Sequence, residues 1–232
     1  MSTIYEQAKP LYHKFNSLRS SIFVIEGLTG CGKTTLGKNV TKYLNSINID
    51  AVFLEEYVNI DLLNQFINDQ KSYAYSFQMI MLMKRIETYK QALHFSQQGK
   101  VVIIDRSLIG DYAFALLHYK DNNITKDEFE IYKNVLKNEQ CLEPTLIINL
   151  ECSVNTAMRR IKRRNRKGED KYKSEYFDSL LTCYNEGLKH LNKSRVLCIN
   201  WEEDIEMLCD EDTAAQCCIE ICNKIVSKLY SV

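Results

Sequence analysis

Proline and glycine are scarce in this chain, with 2 and 8 among 232 residues. The two prolines are Pro10 and Pro144, and no linker, repeat or low-complexity tract interrupts the sequence. A single domain spanning residues 1–232 is therefore expected, of a length that suits one core rather than two. An excess of charge of either sign is also missing: 30 basic and 30 acidic side chains leave a formal net charge of zero. Proteins that coat nucleic acid ordinarily carry a basic excess, so no nucleic-acid partner is expected and any basic cluster must serve a local purpose.

Nine cysteines occur, at 31, 141, 152, 183, 198, 209, 217, 218 and 222, without a Cys-x-x-Cys pair or a Cys/His array of zinc spacing. Reduced thiols in a cytoplasmic protein are the expectation. The opening segment has no apolar core of signal-peptide length, and no apolar run approaches the roughly 20 residues that span a bilayer. No membrane partner is expected.

What is present is a repeated alternation. Short apolar runs at 22–26, 51–55, 101–105, 145–150 and 196–200 read as strands covered on both faces. Between them lie helical stripes, among them Leu36, Val40, Tyr43, Leu44 and Ile47, then Phe177, Leu180, Leu181, Tyr184, Leu188 and Leu191, and later Cys218, Cys222, Ile225, Val226 and Leu229. The stretch 72–95 is apolar on more than one side and predicts a mostly buried helix. Strands alternating with helices give an α/β fold, a parallel sheet with helices on both faces, whose ligands sit beyond the carboxyl ends of the strands.

One motif there is complete. Gly27-Leu-Thr-Gly30-Cys-Gly32-Lys33-Thr34 satisfies G-x-x-x-x-G-K-[ST] between a predicted strand and a predicted helix. Glycines let backbone N–H groups turn around phosphate oxygens, Lys33 brings a charge to the β/γ-phosphates, and Thr34 offers a hydroxyl to Mg²⁺. The expected ATP contacts on this loop are Gly27, Thr29, Gly30, Cys31, Gly32, Lys33, Thr34 and Thr35.

The acceptor side is less explicit. Of Glu55 and Glu56, alternation lets at most one face the cleft, where a carboxylate can take the proton of an attacking hydroxyl; a solvated strand end is the competing reading. Asp105-Arg106-Ser107 closes the third strand, with Asp111 four residues beyond the serine. Gln78 and Arg85 share a helix face two turns apart, either as buried groups with partners or as exposed ends of a polar stripe. The run Arg159–Lys167 opens as a helix and is expected to break at Gly168. It suits a lid closing arginines over a triphosphate better than a nucleic-acid patch or a localisation signal.

From about Ile22 to Asn200 these segments resemble the deoxyribonucleoside kinase family. The resemblance implies a P-loop kinase fold with a five-stranded parallel sheet and an arginine-rich lid at about 160–171, usually dimeric. It implies Glu56 as catalytic base, with Lys33 and Arg106 as catalytic cations. The nucleoside is then held by Glu56, Phe77, Gln78, Arg85, Arg106, Asp111, Glu169 and Tyr176, the triphosphate by Arg160, Arg164 and Arg166, and Mg²⁺ by Thr34 and Asp105. The implied reaction is ATP-dependent phosphorylation of a deoxynucleoside 5′-hydroxyl, a salvage step. In the family an arginine–aspartate pair such as Arg85–Asp111 accompanies purine or cytosine bases rather than thymine.

Three positions depart from the family: Leu28 stands for asparagine, Tyr57 for proline, and Ile67 for the tyrosine that binds the sugar 3′-hydroxyl. Either Tyr73 replaces that tyrosine or altered sugars are tolerated. A nucleoside monophosphate kinase such as thymidylate kinase shares fold, loop and lid and is the alternative; a non-catalytic nucleotide switch or nucleic-acid-binding module is more remote.

Overall fold

A computed structural model describes residues 16, 18–139, 143–166, 169, 172–189, 195–202 and 210–230. The strands are β1 (Ile22–Gly27), β2 (Ala51–Leu54), β3 (Val101–Asp105), β4 (Leu146–Glu151) and β5 (Val196–Asn200). All pair in parallel in the order β2-β3-β1-β4-β5. Among the described residues the helices are α1 (Lys33–Ser46), α2 (Ile60–Asn68), α3 (Gln70–Gln97), α4 (Leu108–Lys120), α5 (Lys126–Asn138), α6 (Val154–Arg164), α7 (Ser174–Leu188) and α8 (Glu211–Tyr230).

Strand alternation divides the core into two layers. Phe23, Ile25, Val101, Ile103, Leu146 and Ile148 face α1 and α8, while Ile22, Val24, Val102 and Ile104 face α3, α4, α5 and α7. This two-sided burial is why the strands carry apolar runs instead of a polar alternation. Packing is close: a Cβ on Gly37 of α1 would stand 2.1 Å from the Phe53 ring on β2.

Several expectations need adjustment. β2 stops at Leu54, so both glutamates lie past the strand. The helix that opens the basic run ends at Arg164 with Asn165 in the left-handed conformation (φ 51°), three residues before Gly168. Gly168, like Leu191, lies outside the described residues. α3 is buried along one stripe only, from Ala74 through Gln78, Leu82, Arg85 and Tyr89 to Ala92; Ile80 is 37% and Met83 63% exposed, so its second apolar face is uncovered.

Candidate active site

The phosphate loop links the centre of the sheet to the start of α1. Gly30 and Gly32 adopt φ of 84° and 105°, a region that favours glycine, and a Cβ on Gly30 would lie 2.6 Å from the Ala157 carbonyl oxygen on α6. Lys33 is buried, its Nζ donating to the carbonyl oxygens of Gly27 (3.2 Å) and Leu28 (2.9 Å). Thr34 Oγ1 donates to Asp105 Oδ2 at 2.5 Å. Asp105 Oδ1 is buried without a hydrogen-bond partner, an oxygen with spare capacity for a cation. Burial raises the Asp105 pKa, with Lys33 pulling it down and Glu56 pushing it up. A hydroxyl beside a carboxylate is a donor set that fits Mg²⁺, which takes its remaining oxygens from phosphates and water.

Cys31 turns its N–H to the Leu28 carbonyl and packs its sulfur in the core. Thr29 lines the neighbouring cleft, and Thr35 lies in the first turn of α1.

That cleft opens beside the loop, with Thr29 in its wall. Glu56 points into it, whereas Glu55 turns outward to Lys38 at 2.8 Å. Glu56 Oε1 accepts from Arg85 at 2.7 Å and from Arg106 Nε at 3.0 Å. Burial alone would raise the Glu56 pKa, but Arg106, Arg85 and Lys33 together bring it down to about 2. Arg106 is buried, its guanidinium over the rings of Phe114 (5.1 Å) and Tyr184 (5.8 Å).

At the far end Arg85 Nε donates to Asp111 Oδ1 at 2.6 Å, and Tyr132 donates to Asp111 Oδ2 at 2.7 Å. Gln78, 2% exposed, donates from its amide to the Asp111 backbone carbonyl at 3.1 Å. Phe77 lines the cleft and stacks on Phe66 with centroids 4.6 Å apart. Gln78 and Arg85 are thus buried groups with partners, not the ends of an exposed stripe.

The chain that carries this arrangement has counterparts among known proteins. The family model for deoxynucleoside kinase matches residues 23–227. The chain belongs to the deoxynucleoside kinase family. It is 30% identical to deoxyadenosine kinase of Dictyostelium discoideum over 82% of this chain and 76% of that one. With deoxyguanosine kinase of Lactobacillus johnsonii it shares 26% identity over 90% and 92%. A structure of deoxyadenosine kinase from M. mycoides, with products dCMP and a flexible dCDP bound, matches with a TM-score of 0.72 at 27% identity, covering 91% of this chain and 100% of that one.

The kinase brings one residue of its basic run, Arg166, to the wall of the same cleft. Arg160 is buried and donates to the Cys31 carbonyl at 3.0 Å, bracing the phosphate loop from α6. Arg164 donates to both oxygens of Glu169, at 2.8 and 2.7 Å, and Arg166 reaches the same carboxylate at 3.5 Å. Glu169, Arg166 and Tyr176 line the cleft. Ile67 packs against the core, and Tyr73 stands 38% exposed, apart from the residues that line the cleft.

Three further side chains went unread in the sequence. Tyr172 lines the cleft and stacks on Tyr176 at 4.8 Å. His118 lines it from α4, two turns beyond Asp111; burial lowers its pKa to about 4. Glu26 lies at the end of β1, fully buried. Only Glu26 gave a signal, as a charge in a strand otherwise apolar.

Proposed function

We propose that this kinase transfers the γ-phosphoryl group of ATP to the 5′-hydroxyl of deoxyadenosine, deoxyguanosine or deoxycytidine in preference to thymidine. The observation that carries this reading is Glu56, a carboxylate gripped by Arg85 and Arg106 at the junction of phosphate loop and cleft. A hydroxyl acceptor needs a proton acceptor there, whereas an acceptor already bearing a phosphate would meet a like charge. Glu56 takes the hydroxyl proton. Lys33, Arg106 and the lid arginines Arg164 and Arg166 hold the phosphates. Thr34 and Asp105 would hold Mg²⁺, which would supply charge neutralisation at the phosphate oxygens.

Phe77 stacks on the base while Gln78, Arg85 and Asp111 meet its edge. The Arg85–Asp111 pair offers a donor and an acceptor to an amino-bearing base and crowds a thymine methyl. Relatives that bear the names deoxyadenosine and deoxyguanosine kinase support the purine side of this reading. Glu169, Tyr172 and Tyr176 face the sugar.

The reading extends to the whole chain as one domain, acting in the cytoplasm as a homodimer. The seven described cysteines are free thiols, and no helix among the described residues is long and apolar enough to cross a membrane. Support for a second copy comes from Ile80 and Met83 on α3, which border a groove shared with Val135 of α5.

The test is to incubate the protein with ATP and Mg²⁺ and, separately, with each of the four deoxynucleosides and their monophosphates, and to quantify products. Monophosphate formed from purine or cytosine deoxynucleosides is the expected outcome. Turnover of monophosphates alone would return the protein to the thymidylate-kinase type and leave Glu56 without its role.

A further inference from the structure

Ile22, Val24 and Glu26 share the face of β1 that packs toward α3 and α4, and the third of them carries a carboxyl group that is 0% exposed. A buried carboxylate is costly unless it is hydrogen-bonded. Glu26 Oε1 accepts three hydrogen bonds, from Ser107 N (2.7 Å), Ser107 Oγ (2.5 Å) and Gly110 N (3.1 Å). All three donors sit at the entrance to α4, where first-turn N–H groups lack helical partners and the helix presents its positive end.

The residue just before this entrance is Arg106, and its backbone is held in the left-handed region at φ 73°. For a side chain other than glycine that conformation is strained, and it persists only where its surroundings hold it. Two consecutive residues of β1 do the holding. Arg106 N donates to the Ile25 carbonyl at 2.9 Å, and the next N–H, of Ser107, goes to Glu26. A helix cap alone would not require this: Ser107 Oγ already caps α4 by accepting from Ile109 N at 3.0 Å. The Arg106 side chain leaves the clamped turn toward Glu56.

We infer that Glu26 is a positioning residue for phosphoryl transfer, locking the turn through Ser107 and Gly110 so that Arg106 is aimed at the Glu56 carboxylate. This rests on the catalytic role proposed for Arg106, and it assigns Glu26 no contact with either substrate.

The experiment is a double-mutant cycle on kcat and on KM for ATP and for deoxycytidine, with thermal unfolding of each variant. Glu26→Ala should lower kcat by roughly 10- to 100-fold while KM for ATP stays within about 3-fold. Glu26→Gln, whose amide oxygen can still accept from Ser107 and Gly110, should recover most of that loss. If Glu26 acts through Arg106, the double variant Glu26→Ala/Arg106→Ala should be no slower than Arg106→Ala alone, within about 2-fold.

A folded Glu26→Ala enzyme with wild-type kcat, beside a slow Arg106→Ala enzyme, overturns the inference alone. So does a double variant in which the two losses multiply. An Arg106→Ala enzyme with normal kcat sinks the reading of Arg106 itself. Should Glu26→Ala fail to fold, Glu26→Asp withdraws the carboxylate by about 1.5 Å and carries the same test, since a wild-type kcat there is equally fatal.

Discussion

Arg85 and Asp111 meet at 2.6 Å with side-chain exposures of 8% and 0%, a charge-assisted hydrogen bond almost wholly removed from water. A pair so placed is unforgiving of half-measures. Asp111→Ala alone leaves Arg85 Nε and the Tyr132 hydroxyl without their acceptor, although Arg85 keeps Glu56, and should destabilise the fold by about 3–5 kcal/mol. Arg85→Met/Asp111→Ala removes both charges and, while the Tyr132 hydroxyl stays without its acceptor, should recover the share of that loss that comes from Arg85. It should also raise kcat/KM for thymidine relative to deoxycytidine by about 10-fold or more. Chemical denaturation and paired kinetics on the two nucleosides check both halves.

Glu56→Gln should lower kcat by about 10²–10⁴-fold with little change in nucleoside KM, because the amide keeps the shape but cannot accept the proton. The carboxyl of the parent enzyme, held near a pKa of about 2, remains ionised from pH 8 down to pH 5. Its protonation should therefore contribute no acid limb to a kcat profile in that window.

Gly110→Ala tests the space around the clamped turn. The new Cβ would meet Glu26 Oε2 at 2.7 Å, Arg106 Cγ at 2.8 Å and the Tyr184 hydroxyl at 2.8 Å. Some of these atoms must shift, and we expect kcat to fall by about 10-fold or more while ATP affinity is retained. Single-turnover kinetics with a separate nucleotide titration would show whether the two effects divide in this way.

His118 makes stability depend on pH. Its folded pKa, about 4, lies below the unfolded value near 6.5. Between those values the unfolded chain binds the extra proton, so stability should fall as pH drops from 6.5 to 4, by up to about 3 kcal/mol. At pH 7 the effect is absent. In His118→Phe this component should disappear, which urea titrations at pH 7, 5.5 and 4 would reveal.

Met83→Lys places a charge on the uncovered face of α3, where Met83 is 63% exposed. The monomer fold should survive, while sedimentation should show the proposed homodimer shifted toward monomer at low micromolar concentration. An unchanged dimer would move the interface elsewhere.

Much of this arrangement was legible in the chain itself. The phosphate loop was, because glycine, lysine and threonine at fixed spacing between strand and helix have few other uses. The sheet was, because strands buried on both faces carry nearly continuous apolar runs. α5 was missed although Thr125 and Glu128 form a capping box that announces it. The uncovered face of α3 was misjudged because apolar periodicity does not say whether the covering layer belongs to the same chain. Glu26 stood out as a charge in an apolar strand, but its role and the left-handed turn at Arg106 stayed hidden for a different reason. Their roles depend on hydrogen bonds between residues 81 positions apart, and a buried strand end gives no local hint of them.

The strand order β2-β3-β1-β4-β5 leaves the phosphate loop astride the middle of the sheet. On one flank, past β2 and β3, stand Glu56, Arg106 and the helices bearing Gln78, Arg85 and Asp111; on the other, past β4, stands the helix that carries Arg160 and Arg164. The consequence is modularity. Base preference can drift by substitutions on the first flank while the nucleotide cradle and its arginines stay as they are, so one architecture can serve a succession of nucleosides without rebuilding its chemistry.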